Sequence, residues 1–160
     1  MTSSHVKAAP PHPSWRMFLH AHAAITRAMD AELQRANNMT LRDYEVLLIL
    51  SNVEAPGLRM SDVANKVLLT PSGISRLIKG LEDRQLVGRE TCAADGRVSY
   101  VRLTADGQRE FNELRERHLE HVRELFTDRF TPRDLEQLEQ LLGKLPQTAS
   151  DCSGCTAHQG

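Results

Sequence analysis

Apolar side chains recur along the chain at helical spacing, in blocks separated by short polar stretches. The first block, Trp15, Phe18, Leu19, His22, Ile25, Met29 and Leu33, forms one stripe. It predicts a helix capped by Ser14 and running to about Ala36, where Asn37 and Asn38 break it. Thr40 and Asp43 then make a capping-box-like pair, with Asp in place of the usual Glu. The helix they open carries Tyr44, Val46, Leu47, Leu48, Ile49 and Leu50, apolar almost all round, and is therefore central and buried. Glu54-Ala55-Pro56-Gly57 ends it, and Leu58-Arg59-Met60 is short enough to add a single strand to a small sheet.

The pattern tightens in the middle of the chain. Ser61 caps a short helix bearing Val63, Ala64 and Val67, and Leu68-Leu69 form a tight connection. Thr70 caps the next helix, with Pro71 at its first position. That helix places Ile74, Leu77, Ile78 and Leu81 on one face and Ser72, Gly73, Ser75, Arg76 and Lys79 on the other. Two short helices joined by a brief turn, the second polar and basic outside, predict a helix-turn-helix. Strand-like runs from Leu86 to Cys92 and from Val98 to Thr104 enclose Ala93-Ala94-Asp95-Gly96-Arg97, whose Asp-Gly pair is a hairpin signal. A helix-turn-helix followed by a hairpin is the order of a winged helix.

Thr104 caps a long helix with Phe111, Leu114, His118, Val122, Leu125 and Phe126 on its stripe, reaching about Arg129. At about 1.5 Å per residue it spans roughly 35–40 Å, more than so small a domain covers. Thr131-Pro132-Arg133-Asp134 starts a last helix, with Leu135, Leu138, Leu141, Leu142 and Leu145 on one face and Pro146 as its stop. The expected organisation is a tail over 1–13, one domain over 14–146 and a polar tail over 147–160. Within the domain, a lobe at about 40–104 lies between terminal helices at about 14–36 and 105–146. The fold class is mainly α with a small β-hairpin.

Composition changes this picture in two places. A chain of 160 residues with 40% hydrophobic content supports one folded domain, and 4% aromatics is low for an aromatic-lined RNA platform. No apolar run approaches the ~20 residues of a membrane span, and no signal core opens the chain, so a soluble cytoplasmic protein without a membrane partner is expected. The net charge of −1 excludes a uniformly basic nucleic-acid wrapper. That balance is unevenly spread, however: residues 56–104 hold eight basic and five acidic side chains, a net +3, and the remainder carries −4. No Gly-rich phosphate loop and no nucleophile in a recognisable elbow or triad occurs, so binding rather than catalysis is expected, with no cofactor.

The basic lobe suggests duplex DNA. Ser72, Ser75, Arg76 and Lys79 are three or four residues apart and share a helix face. Arg76 suits bidentate contact to guanine, Ser72 and Ser75 suit phosphates or base edges, and Lys79 suits a phosphate. The same residues could simply solvate an exposed helix. Arg97, beside Gly96 on a narrow loop, can enter a minor groove. Arg59, Lys66, Arg84 and Arg102 offer further phosphate contacts.

From Met60 to Gly107 the chain resembles the MarR family of bacterial transcription regulators. The resemblance lies in Met60-Ser61-Asp62-Val63-Ala64, Thr70-Pro71-Ser72-Gly73-Ile74-Ser75-Arg76-Leu77-Ile78, Leu81-Glu82, Leu86-Val87 and Arg89. It continues through Asp95-Gly96-Arg97 to Leu103-Thr104-Ala105-Asp106-Gly107. It implies a six-helix homodimer built on the first, fifth and sixth helices, acting as a repressor on a pseudo-palindromic double-stranded operator. Two recognition helices would then sit about 34 Å apart. The resemblance also assigns Thr70, Pro71, Ser72, Ser75, Arg76, Lys79, Asp95 and Arg97 to DNA binding, with Asp95 holding Arg97 and pairing with Arg89. It further implies release by a small phenolic or anionic effector, or by cysteine oxidation, with Trp15, Phe18, His22, Tyr44 and Leu48 lining the effector cleft. Gln85 stands where the family has Gly as a left-handed helix cap. It must take a strained conformation or end the helix differently, with Gly88 relaxing the next strand.

Cys92 falls on the wing, and Cys152-Ser153-Gly154-Cys155 is followed by His158. The tail offers three of the roughly four ligands of a zinc site, or a reversible disulfide, or incidental cysteines. His20 and His22, and His118 and His121, are weaker metal pairs. Two other readings stay open: a winged-helix protein-interaction module without DNA binding, and a metal- or thiol-responsive sensor using the tail.

Overall fold

A computed structural model describes residues 12–67, 69–91 and 99–146. The elements run α1 (Pro13–Asn37), α2 (Leu41–Ser51), β1 (Leu58–Arg59), α3 (Met60–Lys66) and α4 (Pro71–Asp83). They continue with β2 (Val87–Thr91), β3 (Ser99–Leu103), α5 (Ala105–Leu125) and α6 (Pro132–Leu142), with a 3-10 turn at Thr127–Arg129. The Asp-Gly turn with Cys92, Asp95 and Arg97, and the tail with Cys152, Cys155 and His158, lie outside the described residues.

Helix starts follow local chemistry. Thr40 and Asp43 form a reciprocal capping box, the Asp43 N–H donating to the Thr40 hydroxyl at 3.1 Å and the Thr40 N–H to the Asp43 carboxylate at 2.7 Å. Thr131 and Asp134 repeat it at α6, and those hydrogen bonds hold the Asp134 carboxyl below its ordinary pKa. Two expected caps differ. Ser14 lies inside α1, which begins at Pro13 with His12 as cap, its Nδ1 accepting from the Ser14 N–H. Ser61 likewise lies inside α3, because Met60 enters the helix directly from β1 and Arg59 takes the cap position without a side-chain capping hydrogen bond.

The sheet has three antiparallel strands in the order β1-β3-β2. Leu58 pairs with Val101, and Val87 to Thr91 pair in regular register with Leu103 to Ser99. The short run before α3 thus extends the hairpin, fed by Gly57 at φ +109°, where a Cβ would meet the Val101 carbonyl oxygen at 2.4 Å. One core unites Val46, Leu47 and Leu50 of α2, Val63 of α3, and Ile74, Ile78 and Leu81 of α4 with Val87, Val101, Phe111 and Leu114.

Gln85 adopts the left-handed conformation itself, at φ +61°. Its N–H donates to the Glu82 carbonyl at 2.8 Å and the Leu86 N–H to the Leu81 carbonyl at 2.9 Å, the paired bonds of a Schellman motif. Leu81 and Leu86 are both buried beneath it. Gly88 needs no special conformation and pairs with Arg102 in β2. A side chain in this region costs about 1–2 kcal/mol, and glycine's extra backbone entropy returns about 0.5–1 kcal/mol of that. Gln85→Gly is therefore expected to stabilise the fold by about 0.5–1 kcal/mol. A urea midpoint that stays put or falls would show that Gln85 is unstrained.

The terminal helices are less embedded. Every residue from His12 to Ala24 is exposed. α5 ends at Leu125 rather than near Arg129, because Phe126 leaves helical geometry and the chain turns through Thr127–Arg129 to bring Phe130 edge-on to Phe126. Its 21 residues span about 31 Å, shorter than expected. α6 ends at Leu142 with Gly143 as its cap, so Leu145 lies past the helix and Pro146 is not its stop. No helix among the described residues is long and apolar enough to cross a membrane.

Candidate nucleic-acid interface

The interface is built on α4. Residues 67–70 join it to α3, and the Thr70 hydroxyl accepts the Gly73 N–H at 3.2 Å and lies 3.3 Å from the Ser72 hydroxyl. Pro71 occupies the first turn, where its missing N–H costs nothing. Ile74, Ile78 and Leu81 anchor one face in the core, which forces Ser72, Ser75, Arg76 and Lys79 outward, and all four are exposed.

Charge partners divide the basic residues. Lys79 pairs with Asp83 one turn on, at 3.1 Å, both side chains exposed. Arg76 reaches only its own helix, Nε donating to the Ser72 carbonyl at 3.4 Å, and has no carboxylate partner among the described residues. Arg102 pairs with Glu90 at 2.5 Å, and Arg89 pairs with Glu82 at 3.4 Å. Arg84, expected at a phosphate, instead reaches along the surface to the end of α1: its guanidinium donates to the Asn38 and Asn37 carbonyls at 3.1 and 3.0 Å. Sequence reading missed this use. The one hint available was the Asn37-Asn38 helix end, whose unsatisfied carbonyls call for a donor.

The residues expected to line an effector cleft fall into two groups. Trp15, Phe18 and His22 form a stacked ladder on exposed α1, with ring centroids 6.2 and 6.4 Å apart. Tyr44 is buried, 4.1 Å from the His118 ring and 5.8 Å from Phe111, while Leu48 packs against the same core. His121 faces Glu124 at 3.4 Å, and no cluster of three or more metal-ligating side chains occurs among the described residues.

Burial holds the His118 imidazole below its ordinary pKa of 6.5, and His121 lowers it further. The folded chain therefore keeps His118 neutral where the unfolded chain has begun to bind a proton. The stability tied to it is complete above about pH 6.5 and is lost as pH falls. The thermal midpoint is expected to drop between about pH 7 and about pH 5.5, and His118→Gln is expected to flatten that drop. An equal drop in the variant would remove His118 from the account.

A helix-turn-helix, two antiparallel strands after its second helix completing a three-stranded sheet with β1, and helices flanking both ends define a winged-helix domain. A family profile described as the MarR family matches residues 37–98. AbsC, a MarR family transcriptional regulator from Streptomyces coelicolor, is 31% identical, with 84% of this chain and 93% of that chain covered and a TM-score of 0.77. Sco3205 from the same organism, a MarR family transcriptional regulator solved in complex with DNA, is 26% identical over 88% of this chain and 94% of its own, at a TM-score of 0.76. MepR of S. aureus shares the fold at 22% identity and a TM-score of 0.72, with 84% of this chain and 96% of that chain covered. No curated protein sequence matches the chain significantly. The chain belongs to the MarR family of transcriptional regulators.

Proposed function

We propose that this chain is a homodimeric regulator that binds double-stranded DNA sequence-specifically, with α4 in the major groove. The observation that carries the reading is the two-sided α4: one face is locked into the core, and the other offers Ser72, Ser75, Arg76 and Lys79 at its exposed surface. The 26%-identical Sco3205, solved on DNA, supports it. On this reading Arg76 recognises guanine, Ser72 and Ser75 contact phosphates or base edges, and Lys79 exchanges Asp83 for a phosphate. Asp95 and Arg97 complete the interface at the minor groove. Repression relieved by a small phenolic or anionic effector, or by cysteine oxidation, is the regulatory half of the proposal.

Dimerisation is supported by where apolar surface is left over. Trp15 (51% exposed), Met17 (72%), Phe18, Leu19, Leu119, Phe130 and Leu141 (59%) are all exposed, and none belongs to the lobe at 40–104. Apolar surface gathered at the terminal helices is what a second copy would cover.

Enrichment of a random duplex library on the full-length chain tests the proposal. It is expected to yield a two-fold-related motif bound with an affinity that falls steeply as salt rises, because phosphate neutralisation releases counterions. A protein-interaction module would enrich no motif and show no salt slope.

A further inference from the structure

We propose that Arg84 is a positioning residue that fixes the angle at which α4 is presented to DNA, by tying the end of α4 to the ends of α1 and α5. The proposal rests on the DNA-binding reading above. Arg84 is the C-cap of α4, yet its guanidinium serves another helix: Nη2 donates to the Asn37 carbonyl at 3.0 Å and Nη1 to the Asn38 carbonyl at 3.1 Å. These are the last carbonyls of α1, which closes on Asn38 in the left-handed conformation. A cation there also meets the negative end of the α1 dipole.

The same point reaches α5 twice. The Asn37 side-chain amide donates to Glu110 of α5 at 2.8 Å. The carbonyl of Gln85, the residue after Arg84, accepts the hydroxyl of Thr104, the α5 cap, at 2.6 Å. Three helix ends therefore meet around one side chain and its neighbour.

Directionality is what this joint adds. α4 is otherwise held by the apolar packing of Ile74, Ile78 and Leu81, which tolerates small rotations about the helix axis, and by one ion pair, Glu82 with Arg89 of β2 at 3.4 Å. A planar guanidinium with two donors on two fixed carbonyls resists such rotation, and a lysine ammonium reproduces it only in part. Because α1 and α5 are helices of the proposed dimer, the joint sets the distance and angle between two copies of Arg76. A phosphate-binding arginine would act differently, through charge at the DNA surface.

The experiment compares wild type, Arg84→Met and Arg84→Lys, as full-length chains, on a duplex enriched by the wild type and on a scrambled duplex of equal length, across a salt series. Arg84→Met is expected to weaken the enriched duplex by about tenfold, with the scrambled duplex and the salt slope unchanged, and Arg84→Lys to fall between. Equal weakening of both duplexes with a slope reduced by about 1 would make Arg84 a phosphate contact and overturn the proposal. Unchanged specific affinity in a folded Arg84→Met variant would overturn it as well. Amide hydrogen exchange without DNA provides a second readout: faster exchange at residues 84–86 and at the end of α1, with α2 unaffected, is expected in both variants. Exchange at wild-type rates would overturn the joint. If the wild type enriches no duplex, the DNA-binding reading fails and the exchange measurement still decides whether the joint exists. If Arg84→Met does not fold, Arg84→Lys carries the comparison.

Discussion

Gly107→Ala is expected to destabilise the fold by about 3 kcal/mol, far more than one methyl group on an exposed helix would. A Cβ on Gly107 would lie 1.9 Å from the Leu86 carbonyl oxygen and 2.8 Å from its carbon. Both obstacles are backbone, so no side chain can swing aside. Moving α5 away breaks the Thr104 cap, whose hydroxyl accepts the Gly107 N–H at 2.9 Å and donates to the Gln85 carbonyl. Moving Leu86 instead disturbs a buried side chain and the Schellman bonds that close α4. Gly80→Ala is the matched control: nothing lies within 4 Å of its Cβ position, and alanine there is expected to stabilise α4 by about 0.5–1 kcal/mol. Urea denaturation of the two variants decides the matter, and a cost below about 1 kcal/mol for Gly107→Ala would disprove the close approach.

Charge placed on the terminal helices is expected to abolish the dimer and, with it, tight DNA binding. Trp15 and Leu141 are exposed at opposite ends of the sequence, on α1 and α6. A stable obligate interface buries about 2,000 Å² or more and is largely apolar, so Trp15→Glu with Leu141→Glu sets two unpaired carboxylates against its core. Wild type is expected to sediment at twice the 18.0 kDa chain mass and the double variant as a monomer. Affinity for the enriched duplex should fall by about 100-fold or more, because the second half-site loses its effective concentration. Folding of the chain should survive, since the buried core contains neither residue. A double variant that stays dimeric would place the interface elsewhere.

Much of this was readable from the chain. Periodicity placed all six helices, and Thr40, Thr70, Thr104 and Thr131 marked four of their starts correctly, because a hydroxyl three residues before a free N–H is a local signal. Ser14 and Ser61 misled for the same local reason: a nearby hydroxyl is not used when Pro13 or β1 brings the chain into the helix earlier. The outward face of α4 was legible because its apolar face is strict. What was not legible depends on distant partners. Nothing near Arg84 in sequence announces the Asn37 and Asn38 carbonyls, nor did the stripe of α5 show that Phe126 would leave it for Phe130. Gln85 was recognised as a departure, but which of its two outcomes held was a question only the backbone could answer. The five cleft residues are grouped by the family resemblance, which carries no side-chain contacts, and the structure distributes them between an exposed α1 ladder and a buried Tyr44.

The measurement that bears most directly on duplex recognition by α4 is a binding titration of wild type and Arg76→Ala against the enriched and scrambled duplexes over a range of salt. Arg76 is exposed and has no carboxylate partner among the described residues, so its removal leaves the core intact. The expected result is a loss of about tenfold to a hundredfold on the enriched duplex, with relaxed preference at one base pair in each half-site and little change on the scrambled duplex. Equal affinity of wild type for both duplexes, or an Arg76→Ala variant indistinguishable from wild type on the enriched one, would contradict recognition through this face.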